Sequence, residues 1–138
     1  MQTHQETPLD CSLFSQLDNK RLIRSFGYLD GRWVGTSESN VFPVTDPADG
    51  SWLGDVAMLS GSQAACAVDV AARAFVHWSS LLPQDRAKAL KAWHDLIIQN
   101  REDLAILITR EQGKPLSEAR GEIEHAASFV EFYSEEAK

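Results

Sequence analysis

The chain has 138 residues, 20 acidic against 13 basic side chains and a net charge of −7, which bounds it to one domain or a piece of one. Its basic residues are scattered, with no run longer than Lys20-Arg21, which argues against nucleic acid and against electrostatic binding to an anionic membrane. Two cysteines, Cys11 and Cys66, give neither a disulfide framework nor a zinc spacing, the polar start from Met1 to Asp10 lacks the apolar core of a signal peptide, and no stretch is long and apolar enough to span a bilayer, so the expected setting is cytoplasmic.

Residues 1–20 read as polar and loosely held, with a short amphipathic turn at Leu13-Phe14 and Leu17, inside a polar N-terminal segment that runs to residue 25. Phe26-Gly27-Tyr28-Leu29 and Arg32-Trp33-Val34 flank Asp30-Gly31, a two-residue hairpin signal. A polar loop over Gly35 to Asn40 leads to Val41-Phe42-Pro43-Val44-Thr45, whose proline suits an edge strand because it cannot donate to a ladder. Asp46-Pro47-Ala48-Asp49-Gly50 is a turn, and Trp52 to Leu59 is a further strand.

From Ser62 the period becomes helical. Ala64, Val68, Ala71, Phe75 and Trp78 form one apolar face, with Asp69, Arg73 and His77 opposite. Pro83 sits in the first turn of a second helix, whose stripe is Ala87, Leu90, Trp93 and Ile97. Asn100 offers an N-cap with Asp103 at the acidic N3 position, and Leu104, Leu107 and Ile108 form the buried face of a third helix. Gly113 follows as the left-handed stop, Lys114 complements the helix end, and Pro115 restarts the chain. The fourth helix buries Leu116, Ala119, Ile123, Ala127 and Val130, and it meets no stop signal before Lys138, so the chain reads as the front part of something larger. Gly121 stands inside it at a cost of roughly 1 kcal/mol against Ala, which a close helix contact would justify. The fold class is α/β: a few short N-terminal strands and a hairpin, then about four helices. The strands are too few to close a sheet, so their edges need covering by the helices, another chain or further sequence.

Few residues offer chemistry. Cys66 shares a polar helix face with Arg73 and His77, a setting that can lower a thiol pKa but is more often a solvated surface. Of His4, His77, His94 and His125, no two stand at metal-ligand spacing, and only His125, among small and aromatic residues, invites a functional role beside its structural one. The glutamates of the last helix, such as Glu118 and Glu122, read as a solvated face rather than an acid/base pair. There is no glycine-rich phosphate cradle.

Taken in order, several short motifs resemble the N-terminal part of the NAD(P)-dependent aldehyde dehydrogenase superfamily, and within it the succinate- or glutarate-semialdehyde dehydrogenases. They are Tyr28-Leu29-Asp30-Gly31-Arg32-Trp33, Val44-Thr45-Asp46-Pro47-Ala48-Asp49-Gly50, Ala71-Ala72-Arg73-Ala74-Phe75 with Trp78, and Arg86-Ala87 with Leu90. Glu111-Gln112-Gly113-Lys114-Pro115-Leu116-Ser117-Glu118-Ala119, then Gly121-Glu122-Ile123, then Ala126-Ala127-Ser128-Phe129 with Phe132 complete the series. The resemblance covers residues 26–138, read as an incomplete cofactor-binding domain; residues 1–25 follow no pattern of the family.

The resemblance implies a much longer enzyme with a Rossmann-like cofactor domain, a catalytic domain and an oligomerisation arm. A cysteine thiolate attacks the aldehyde, hydride passes to NAD or NADP, and a glutamate-activated water releases the acid. Those residues are expected downstream, so neither Cys11 nor Cys66 is the nucleophile, and this chain alone is expected to be inactive and to bind no cofactor. The last helix of such an enzyme borders the substrate entrance, which makes His125, Phe129 and Phe132 candidates for the tunnel wall, with plain helix packing as their other role. The complete enzyme would take a small aldehyde and form a homo-oligomer. The alternative from a different class is a non-catalytic helical module that associates with itself or with a full-length dehydrogenase; a thiol redox protein built on Cys66 is a third.

Overall fold

A computed structural model describes residues 11–35 and 40–138. The expected loose start from Met1 to Asp10 and most of the Gly35–Asn40 loop lie outside the described residues. Helix α1 (Cys11–Gln16) and a 3-10 turn (Lys20–Leu22) precede four short strands, β1 (Gly27–Leu29), β2 (Arg32–Val34), β3 (Val41–Thr45) and β4 (Trp52–Ala57). Four long helices follow: α2 (Gly61–Ser80), α3 (Pro83–Gln99), α4 (Arg101–Gln112) and α5 (Leu116–Glu136). Among the described residues, no helix is long and apolar enough to cross a membrane.

The strands form two antiparallel pairs, β1 with β2 and β3 with β4. Asp30 and Gly31 both take positive φ, 51° and 74°, the signature of the primed turn whose twist matches its flanking strands. Tyr28 stands opposite Trp33, and their rings meet edge to face at 5.1 Å. In the second pair Pro43 faces Asp55, which a two-stranded ladder tolerates because both its strands are edges. Leu53 and Ala57 of β4 point into the core.

The helical core is built on α5. Its inner side carries Ile123 between Ala119 and Ala127, and the two alanines are small enough to let neighbouring helices approach closely. Ala105 of α4 packs with Ala119 and Ile123, surrounded by Ile97, Leu104, Ile108 and Leu116. The stripe expected on the last helix is therefore the buried one. On α4 the fully buried residue is Ala105, whereas Leu104, Leu107 and Ile108, expected to form its buried face, are half-buried. That helix is covered from two sides, by α5 and by the N-terminal segment, and its most enclosed line lies between the two.

Three further expectations change. Residues 11–20 are tied down rather than loose: Leu13 and Leu17 are buried, and the Asp103 carboxylate accepts the backbone N–H groups of Asp18 (3.1 Å) and Asn19 (2.7 Å). Asn100 occupies the N-cap position of α4 without making a side-chain cap, because its amide donates to the Leu96 carbonyl and its oxygen accepts from Asn19. Asp103 thus serves a strand of passing chain while standing where the helix dipole favours its charge. Gly121 has open space where its Cβ would be, so no close helix contact among the described residues explains it.

Helix α2 departs furthest. It starts one residue earlier than expected, under a capping box in which Ser60 and Gln63 bond each other's backbone N–H groups. The sequence Ser60-Gly61-Ser62-Gln63 carries that signal. The face turned toward the rest of the chain holds Gln63, Ala67, Val70 and Trp78. The predicted stripe is rotated away from it, leaving Val68 68% and Phe75 64% exposed. No other described element packs substantially on α2.

Candidate functional site

Two places gather the residues of interest. The first is the outer side of α5. Successive helical residues turn by about 100°, so the buried line through Ala119, Ile123, Ala127 and Ser134 leaves His125, Phe129 and Phe132 half a turn away. The three expected tunnel-wall residues therefore share one stripe. His125 and Phe129 meet edge to face with ring centroids 4.8 Å apart, and Phe132 does the same with Tyr133 at 5.3 Å. Phe129 is 53% and Phe132 56% exposed, so this is a surface of aromatic edges, backed by a rigid helix and lying next to the open position of Gly121. The stripe pairs no base with a nucleophile; its chemistry is shape and apolar contact.

The second place is a cavity of about 130 Å³ between the N-terminal segment, the β3–β4 pair and α4. Leu13, Leu22 and Ile23 form one wall, Leu53 and Val56 another, and Leu107 and Glu111 the third. Glu111 is exposed yet lines this cavity, and the partial loss of solvation there pushes its pKa up from the ordinary carboxylate value. Sequence reading took Glu111 only as a letter of a motif; its i,i+4 spacing from Leu107 was the sign that it shares an apolar face.

Around this cavity the motif residues act as fasteners. Arg110 Nε lies 2.8 Å from Asp46 Oδ2, and Asp46 is buried. The other Asp46 oxygen accepts the Ala48 N–H at 2.9 Å, and its backbone N–H and carbonyl bond Ser51 and Gly50, so one side chain closes the β3–β4 turn and ties it to α4. Gly113 ends α4 with φ of 71° and donates to the Thr109 carbonyl, as expected. It has a second task invisible in the sequence: a Cβ there would stand 2.9 Å from Pro47 Cγ. On the surface, Arg101 pairs with Glu124 and Arg120 with Glu102, joining α4 to α5, and Lys114 in the turn between them pairs with Glu122 of α5.

A family model of the aldehyde dehydrogenases matches residues 33–138. The chain belongs to the aldehyde dehydrogenase family. It is 46% identical over 127 residues to the non-phosphorylating aspartate-semialdehyde dehydrogenase of Halomonas elongata, covering 92% of this chain and 26% of that protein. It is 40% identical over 123 residues to the NADP(+) succinate-semialdehyde dehydrogenase of Escherichia coli, covering 89% of this chain and 26% of the other. The crystal structure of succinate-semialdehyde dehydrogenase from Burkholderia pseudomallei superposes with a TM-score of 0.83 at 41% identity, covering 87% of this chain and 25% of that one. The chain thus spans about a quarter of the length of these relatives. The 127-residue match necessarily includes part of residues 1–25, where no family pattern was expected, in keeping with the buried Leu13 and Leu17.

The family implies a dinucleotide, and neither the cavity above nor the starts of α2 and α5 have the features of a place for one. The cavity is well below the roughly 300–1,000 Å³ of small-molecule sites. The helix starts offer no glycine-rich turn with free N–H groups: the α2 start is closed by its own capping box, and α5 starts behind Pro115. Cys66 is exposed on the polar side of α2, and among the described residues no three metal-ligating side chains converge.

Proposed function

We propose that this chain is the N-terminal quarter of an NAD(P)-dependent dehydrogenase that oxidises a small semialdehyde, succinate or glutarate semialdehyde, to the acid. The observation that carries the reading is a match of 40–46% identity to semialdehyde dehydrogenases over about nine-tenths of the chain but only a quarter of theirs. The 138 residues alone supply no nucleophile, no activating base and no dinucleotide site, and are inactive by themselves. Their contribution is a scaffold whose last helix presents His125, Phe129 and Phe132 to the substrate entrance. Such a wall selects by excluding water and fitting the aliphatic part of the substrate. The whole enzyme works in the cytoplasm as a homo-oligomer on a small aldehyde.

The test compares two preparations. The protein is isolated from its source with a reagent against residues 111–138, its intact mass is measured, and it is assayed for nicotinamide reduction with both semialdehydes and both cofactors. The purified 138-residue chain is assayed beside it. A species several times 15.3 kDa that reduces cofactor, with an inert short chain, is the expected result. Cofactor reduction by the homogeneous short chain overturns the division of labour. In the longer protein, Phe129→Ala raises KM for the semialdehyde by about tenfold with little change in kcat, as loss of uniform apolar binding requires.

A further inference from the structure

We infer that Asp30 is a site of spontaneous backbone modification: the Asp30-Gly31 step isomerises to isoaspartate through a cyclic imide, while the second Asp-Gly step of the chain, Asp49-Gly50, is kept from doing so by its own hydrogen bonds. This chemistry needs only water and rests on neither the aldehyde nor the cofactor proposed above.

The sequence supplies both candidates. Aspartate precedes glycine at Asp30-Gly31 and at Asp49-Gly50, and asparagine never does. Glycine matters in second place because it has no Cβ. Its backbone nitrogen is the least hindered amide that can approach a neighbouring carboxyl, and its φ is the least restricted. In the reaction the Gly31 nitrogen bonds to Asp30 Cγ, and the amide proton leaves with the carboxyl hydroxyl as water. The imide then takes up one water at either carbonyl. Opening at the side-chain carbonyl restores aspartate. Opening at the main-chain carbonyl leaves the peptide running through Cγ, with a free carboxylate on Cα.

The structure separates the two steps. At Asp49-Gly50 both reacting groups are occupied: the Gly50 N–H donates to the Asp46 carbonyl at 2.8 Å, and the Asp49 carboxylate accepts the Ser51 N–H at 2.8 Å. Ser51 also holds that carboxyl below the ordinary carboxylate value, and the ionised form is the unreactive one because it has no hydroxyl to lose. The turn is anchored in addition through Asp46 to Arg110 of α4.

At Asp30-Gly31 both residues are exposed, and among the described residues neither the Asp30 carboxylate nor the Gly31 N–H has a hydrogen-bond partner. The turn type accounts for the nitrogen: a two-residue hairpin loop bonds through the residues on either side of it and leaves the amide between its central residues free. Asp30 is also the one non-glycine residue with positive φ among those described, at 51°, a conformation that costs an L-residue free energy, so its own backbone favours leaving the turn. The hairpin has three residues in each strand and no other described element packs substantially on it, so opening it requires little free energy. Isoaspartate adds a backbone carbon to the loop. The register that sets Tyr28 against Trp33, and Arg24 over the Trp33 ring, is lost with the turn.

The experiment holds the purified chain warm for weeks in mildly acidic buffer made with heavy-oxygen water, beside a sample in concentrated urea. Both are mapped by peptide mass spectrometry with fragmentation that distinguishes isoaspartate from aspartate. In buffer, position 30 gains isoaspartate, with one heavy oxygen, at least about tenfold faster than position 49, the ratio that two additional hydrogen bonds of ordinary net strength produce. In urea the two positions react at similar rates, because the bonds that distinguish them are gone. Asp30→Glu abolishes the signal at position 30, since its larger ring closes far more slowly, and leaves position 49 as it was. Absence of isoaspartate at position 30 in buffer overturns the inference, as do equal rates at the two positions there or a faster reaction at 49. An excess at position 30 that persists unchanged in urea overturns the role given to the hydrogen bonds, because the flanking residues then set the rates. Isoaspartate without heavy oxygen overturns the imide route. None of these outcomes touches the activity assay of the longer protein.

Discussion

Glu111 shows how one side chain can be recognised as a letter and misread as a group. It lines the cavity, and partial desolvation holds its folded-state pKa above the ordinary value. Below the ordinary carboxylate pKa the group is protonated in both states and costs the fold nothing. As pH rises from there through the raised value, the unfolded chain ionises first and the folded state loses stability. Glu111→Gln is therefore expected to melt with the parent chain at low pH and above it at neutral pH; parallel melting curves across that range would remove the argument. Gly113 is constrained twice, by its positive φ and by Pro47 2.9 Å from where a Cβ would stand. Gly113→Ala should destabilise by about 1 kcal/mol or more, measured by urea unfolding. The φ requirement was legible as a helix stop ahead of proline; the Pro47 contact was not, because the two residues are 66 positions apart in the chain and only packing closes that distance.

Among the elements, α5 and α2 have similar sequence patterns and different fates. Both carry an apolar stripe on one side and more apolar residues on another. On α5 the stripe through Ala119, Ile123 and Ala127 is buried as its period predicts, because α3 and α4 lie against it. On α2 the stripe through Val68 and Phe75 stays in solvent because nothing lies against it. Periodicity reports which side of a helix could be buried, and not whether a partner reaches it. Hydrogen exchange should accordingly find α2 the least protected of the four long helices, with α5 the most protected; equal protection would show that α2 has a partner in solution. Gly121 stands on the open side of α5, so Gly121→Ala is expected to stabilise the 138-residue chain by roughly 1 kcal/mol through helix propensity alone. A loss of stability on thermal unfolding would reveal a close approach at that position. The fasteners between elements were not legible either: Asp103 was read as a dipole-complementing helix residue, and it also clamps Asp18 and Asn19 from another part of the chain. Removing such a doubly bonded carboxylate strands two backbone donors, each worth about 1–3 kcal/mol if left unsatisfied in the interior.

At the scale of the whole molecule, the chain is a well-bonded helical core with large faces left open. The Arg110–Asp46 pair and the Asp103 clasp hold the strands and the N-terminal segment to α4, and the ion pairs of Arg101 and Arg120 brace α4 against α5. Breaking Arg110 from the buried Asp46 is the kind of change that costs about 3–5 kcal/mol when a charge is left unpaired in the interior. The candidate site on α5 has firm backing and an open front, the arrangement expected of a wall rather than of a reaction centre. The sequence by itself determined the hairpin at Asp30-Gly31, the helix stops, the inner stripe of α5 and the family, because each rests on local backbone preference, on a short period or on the order of motifs. Only the tertiary structure decided which stripes are covered, which carboxylates are desolvated or clamped, and that His125, Phe129 and Phe132 share one exposed line opposite the core. Those outcomes depend on where distant segments come to lie, and burial and solvation are set by neighbours in space rather than by neighbours in the chain.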